Sequence, residues 1–157
     1  MQGMDKEQLM EAFEAFLKEK YHLSLTDLTQ LTSDTIPCSI FTPRLGALEA
    51  IVKYLREQKK YSYEKIAELL YRNKNSLMTT YHKAVKKYPE ALNVVEGESF
   101  PLSIFSNVTL SVLEAIVLYF KQKKYSLSQI GRLLKRDDRT IWTIYHRASK
   151  KEVEKHT

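Results

Sequence analysis

This 157-residue chain is short of the residues that turn and stop a backbone, with four glycines and four prolines. A β-sandwich needs turn residues every few positions, so the scarcity argues against a turn-rich sheet protein and suits helices. A single cysteine, Cys38, excludes an intrachain disulfide and points to a reducing compartment. No apolar run reaches the length of a membrane span. The opening MQGMDKEQLMEAFEAF is acidic and amphipathic and lacks the apolar centre of a signal peptide, so a cytoplasmic, nucleoid-associated protein is expected. The glycines build no phosphate loop, no nucleophile–base arrangement stands out, and Cys-x-x-Cys and His-x-x-x-His spacings are missing. Neither an enzyme, nor a metal site, nor a cofactor is therefore expected.

What the chain does have is 43% apolar and 28% charged residues, the balance of a globular protein and not of a disordered one. Its net charge of +6 is segregated. Residues 1–35 are net −4, residues 36–87 net +7, residues 88–99 net −3 and residues 100–157 net +6. Two basic blocks around an acidic strip suggest two separate contacts with a polyanion, although two solvated helical faces would give the same distribution.

The basic blocks are copies of each other. YSYEKIAELLYRNKNSLMTTYHKAVKK (61–87) and YSLSQIGRLLKRDDRTIWTIYHRASKK (125–151) agree at 12 of 27 positions. LEAIVKYL (48–55) and LEAIVLYF (113–120) agree at six of eight, and Ser39-Ile40-Phe41 recurs as Ser103-Ile104-Phe105. Three matched blocks in one order mark a duplication.

Each copy reads as three helices. The first carries a buried stripe at Leu48, Ile51, Val52 and Leu55, or at Leu113, Ile116, Val117 and Phe120. A Lys-rich break leads to Ser62 or Ser126, placed to cap a short second helix. A three-residue turn then reaches Asn73 or Asp137, each suited to cap the third helix, whose inner face is Leu77, Tyr81 and Ala84, or Ile141, Tyr145 and Ala148. The Ser-Ile-Phe segments follow prolines and are expected to be extended. No alternating strand pattern stands out. Upstream, residues 4–21 form an amphipathic helix with Leu9, Phe13, Phe16, Leu17 and Tyr21 on one face. SLTDLTQL (24–31) reads as a further short helix capped by Ser24.

IAELLYRNKNSL (66–77) and IGRLLKRDDRTI (130–141), each followed by a basic YHKAVKK or YHRASKK, resemble helix-turn-helix DNA-binding domains. The nearest flavours are region four of bacterial sigma factors and response-regulator output domains. Arg136-Asp137 with Thr140-Ile141 also resembles the DNA-binding domain of the bacterial replication initiator. The resemblance implies an all-α fold of two tandem three-helix units behind an N-terminal helical segment. The corresponding boundaries are 1–36, 37–88, a linker at 89–100, and 101–157. It further implies that the third helix enters the major groove of double-stranded DNA, most plainly for transcriptional regulation.

The outward positions of that helix are then the base readers. They are Asn75, Ser76, Thr79, His82 and Lys83 in the first copy, and Arg139, Thr140, Trp142, Thr143, His146 and Arg147 in the second. Asn suits adenine edges and Arg suits guanine. Phosphate contacts are expected from Lys86, Lys87, Lys150 and Lys151, and from Ser62 and Ser126 at the start of the second helix. Trp142 has a competing role, packing at an interface. Glu49 and Glu114, at matched sites near a helix start, are better read as dipole partners or local ion pairs than as acid–base groups. The readers differ at Lys74-Asn75 against Asp138-Arg139, so two unlike half-sites and not a palindrome are expected, and a 12-residue connector, spanning at most ~40 Å extended, reaches both. Two other readings stand beside DNA binding: a protein-docking module of the sigma-like kind, and RNA binding. The acidic N-terminal helix is the candidate surface for RNA polymerase or another protein, or for a homodimer.

Overall fold

The computed structural model describes residues 5–24 and 34–155. The chain divides into two compact units, Met1–Asp34 and Thr35–Thr157. In the first unit, α1 (Lys6–Tyr21) starts at a capping box. The Asp5 carboxylate accepts from the Gln8 amide, and the Gln8 side chain accepts from the Asp5 amide. Leu17 is buried, whereas Leu9, Phe13, Phe16 and Tyr21 are about half exposed. The expected helix over 24–31 lies outside the described residues.

The second unit repeats one plan. It runs β1 (Thr35–Pro37), a 3-10 turn (Cys38–Ile40), α2 (Ala47–Glu57), α3 (Tyr63–Leu70) and α4 (Lys74–Lys87). Then follow β2 (Ser99–Pro101), a second 3-10 turn (Leu102–Ser106), α5 (Val112–Gln122), α6 (Leu127–Leu134) and α7 (Asp138–Lys155). The described chain is thus mostly helical, with seven α-helices and one small sheet. Among the described residues no helix is long and apolar enough to cross a membrane.

The helix starts follow the local chemistry. Ser62 and Ser126 accept from the amides of Lys65 and Gln129. Asn73 accepts from Asn75 and Ser76, and Asp137 from Thr140. The Thr140 amide holds the Asp137 carboxyl below the ordinary carboxylate range. At the first helix of each copy, Glu49 accepts from the Gly46 amide and Glu114 from the Ser111 amide. The turn between second and third helices passes through a left-handed residue at Tyr71 (φ 56°) and Lys135 (φ 54°). The same conformation recurs after the first helix at Lys60 and Lys124. In the second copy the helix packing is so close that a Cβ on Gly131 would stand 2.7 Å from the Arg136 carbonyl oxygen.

Two expectations need correction. The fold is not purely α: Thr35–Pro37 and Ser99–Pro101 pair as an antiparallel ribbon. Three-residue strands ending in proline carry no alternation to read, and proline tolerates the edge position because it has no amide hydrogen to donate. The Ser-Ile-Phe segments are not extended either. Ser39-Ile40 and Ser103-Ile104-Phe105 lie in the 3-10 turns, one step after the extended residues.

Both copies contribute to one continuous core. The ring of Phe100 stacks on Phe41 from the first copy and meets Phe105 and Phe120 edge-on. The 3-10 turn of each copy packs on the second helix of the other, and α2 touches α5. Arg136 reaches across to donate to the Leu45 carbonyl at 3.0 Å. The acidic connector is tied down as well. Leu92 is buried, Lys53 donates to the Glu90 carbonyl, Ser39 accepts from the Val95 amide, and the Cys38 amide donates to Glu98.

Candidate nucleic-acid interface

The third helices bury one edge and present the other. Leu77 and Ala84 on α4, and Ile141 and Ala148 on α7, are sealed in the core. That fixes the opposite edge outward. Asn75, Ser76, Thr79, His82, Lys83 and Lys86 are all exposed, as are Arg139, Thr140, Trp142, Thr143, His146, Arg147 and Lys150. All eleven residues expected to read bases therefore lie on the surface.

Their local bonds differ. The hydroxyls of Thr79 and Thr143 donate back to the carbonyls of Asn75 and Arg139, one turn earlier. This turn-back occupies the hydroxyl proton but leaves the oxygen able to accept. Trp142 is 53% exposed and lies against the His146 ring, with centroids 3.9 Å apart. Its exposed surface is therefore open to a partner. Ser62 and Ser126 are exposed, with their hydroxyl oxygens turned onto their own helix starts.

The four candidate phosphate lysines fall into two classes. Lys86 and Lys150 are exposed on the outer edge. Lys87 instead forms an ion pair with Glu49, contacting both carboxylate oxygens at 3.0 and 2.9 Å. Lys151 donates to Glu114 at 2.7 Å and to the Thr109 carbonyl at 3.1 Å. Burial pushes both carboxyls up, but the capping amides of Gly46 and Ser111, together with these lysines, outweigh it and hold them below the ordinary value. Lys87 and Lys151 thus fasten the C-terminal part of each third helix to the start of each first helix.

Between the third helices run two neighbouring hollows with Ser111 and Leu113 as a common wall. On one side are Leu48, Arg72, Thr80 and Lys83. On the other are Arg139, Thr140, Thr143 and Arg147. The rims are therefore basic on both sides. Arg72 stands on this rim with no motif in the sequence to mark it. Its counterpart Arg136 is half-buried and occupied by carbonyls of Leu134, Lys135 and Leu45, whereas Arg72 is exposed at the rim. The repeat alignment alone pairs the two arginines as equivalents, and only their surroundings separate them.

Cys38 is buried, whereas His82 and His146 are exposed. Among the described residues no group of three His, Cys, Asp or Glu side chains is placed to hold a metal ion. No family model matches the chain, and neither a curated protein nor a solved structure matches it.

Proposed function

We propose that this protein binds double-stranded DNA sequence-specifically through two helix-turn-helix units, 37–88 and 101–157, and acts in transcriptional regulation. The observation that carries the reading is the matched outward face of α4 and α7. Each copy buries the same apolar edge and exposes amide, hydroxyl, imidazole and cationic groups along the other. Those groups can donate to and accept from base edges, and the helix itself fits the major groove. Arg139 and Arg147 are suited to guanine and Asn75 to adenine. Lys86, Lys150 and Arg72 supply phosphate contacts at the margins.

Selection of bound sites from a random duplex library tests this reading directly, together with a salt titration. An enriched motif is expected, with affinity falling by a log–log slope of about −0.9 per phosphate neutralised. Recovery of no motif, or binding indifferent to salt, refutes it.

A protein partner is a second reading for α1 alone. That helix exposes Leu9, Met10, Phe13, Phe16 and Tyr21, an apolar surface suited to RNA polymerase, another protein or a second copy. Sedimentation of the protein beside a Phe13→Glu, Phe16→Glu variant tests self-association through this helix. Identical monomeric behaviour of both excludes the homodimer.

A further inference from the structure

The two copies are arranged as a fused pseudo-dimer about a local twofold axis. The register of the small sheet shows this relation. Residues 35, 36 and 37 of the first copy are equivalent to 99, 100 and 101 of the second, because the repeat offset is 64 here. The observed pairs are Thr35 with Pro101, Ile36 with Phe100, and Pro37 with Ser99. The central pair therefore joins a residue to its own counterpart, and the outer two pairs exchange under the same operation. This is the signature of an isologous contact, in which i meets j and j meets i. The packing repeats it. Each 3-10 turn lies on the other copy's second helix, and the two first helices touch each other.

Twofold symmetry fixes how α4 and α7 are presented. Lys83 and Arg147 are equivalent positions, and they face the two hollows that share Ser111 and Leu113. Both third helices thus flank one surface, in opposite senses. The DNA backbone has local twofold axes of its own, so a twofold protein reads its two half-sites in inverted orientation. The connector is pinned and the copies share one core, so it does not act as a free spanning tether.

We infer that the target is an imperfect inverted repeat at fixed spacing. The inference rests on the DNA-binding reading above. The halves agree where the copies carry identical readers, Thr79 with Thr143 and His82 with His146. They diverge where the first copy has Asn75 and the second has Arg139 at the equivalent position, exchanging an adenine preference for a guanine preference.

The experiment starts from the selected duplex and the full chain. Three variant duplexes are compared with it: one half-site reversed to give a direct repeat, five base pairs inserted between the halves, and the second half copied in inverted orientation onto the first. Reversal and insertion should each lower affinity roughly 100-fold, as simultaneous engagement is lost. Asn75→Arg in the protein should shift preference toward the duplex carrying two copies of the second half. Equal affinity for direct and inverted arrangements, or indifference to the insertion, overturns the inference and leaves DNA binding intact. Enrichment of no duplex at all removes the DNA reading, and this inference with it.

Discussion

Lys151 holds Glu114 at 2.7 Å, and Lys87 holds Glu49 in the equivalent place of the other copy. Glu114 is almost wholly buried, and one of its carboxylate oxygens has no hydrogen-bond partner. The Lys151 ammonium is therefore the principal compensation for a charge removed from water, and the pair joins the C-terminal part of α7 to the start of α5. Lys151→Met should cost about 2–4 kcal/mol in chemical denaturation, because it strands the carboxylate. Lys150→Ala, one residue away, should leave stability within about 0.5 kcal/mol and reduce the salt slope of DNA binding by about 0.9. The opposite pattern would exchange the roles of the two lysines.

Acid should find the same pairs. Glu49 and Glu114 have folded-state pKa values below the ordinary carboxylate value. The stability they supply is present above the unfolded value of about 4.3 and is lost as pH falls through the lower folded values. Melting temperature should therefore drop as pH falls below about 4.3, and the decline should be shallower in Glu49→Gln, Glu114→Gln. A double variant that tracks the parent curve throughout contradicts this assignment.

The turn leading into the third helix offers a test of backbone strain. Tyr71 and Lys135 occupy the left-handed region, which costs a non-glycine residue about 1–2 kcal/mol. Lys135→Gly should raise stability by about 0.5–1 kcal/mol after the added entropy of glycine is counted. Gly131→Ala should do the reverse, losing about 1–3 kcal/mol, since its Cβ meets backbone at 2.7 Å. Thermal melts of the two variants should move in opposite directions.

Scaffold and reader should separate by mutation. Arg139 is exposed near the start of α7, so Arg139→Ala should keep the melting temperature and relax preference at one base pair by about 1–3 kcal/mol. Ile130 has no exposed surface, and Ile130→Ala should cost about 2–5 kcal/mol through a cavity. Loss of fold in Arg139→Ala would show that the outward edge of α7 is misassigned.

Cys38 should be inert in the native protein. Burial, with the Glu98 charge adding to it, pushes its thiol up to about 12, so almost no thiolate exists at neutral pH. Alkylation followed by mass spectrometry should proceed only on unfolding, with a rate that rises with denaturant. Rapid modification of the folded protein would show that the 3-10 turn opens on its own.

The helices and their caps were legible because their causes are local. Ser62, Asn73, Ser126 and Asp137 each satisfy an amide two or three residues ahead, and the Ile and Leu stripes repeat at helical spacing. The outward faces of α4 and α7 followed from the same periodicity. What escaped depends on partners far away in the chain. In sequence, Lys87 and Lys151 are indistinguishable from Lys86 and Lys150 as phosphate contacts, because the carboxylates that hold them lie 38 and 37 residues earlier. The paired strands offered three residues each and no period. Arg72 and Arg136 match in sequence, and only the Leu45 carbonyl, 91 residues from Arg136, assigns one to the core and leaves the other at the rim.

The sheet also bears on how the chain is made. Ile36 and Phe41 are covered by packing that includes Phe100, which emerges during synthesis about 60 residues after them. Helices α2 to α4 can form as they leave the ribosome, since their contacts are short in sequence. Their apolar underside stays open until the second copy arrives to close it. A chain halted in the acidic connector would carry the outward face of α4 and lack the lid over its own core, so truncated products should be sticky and cleared quickly.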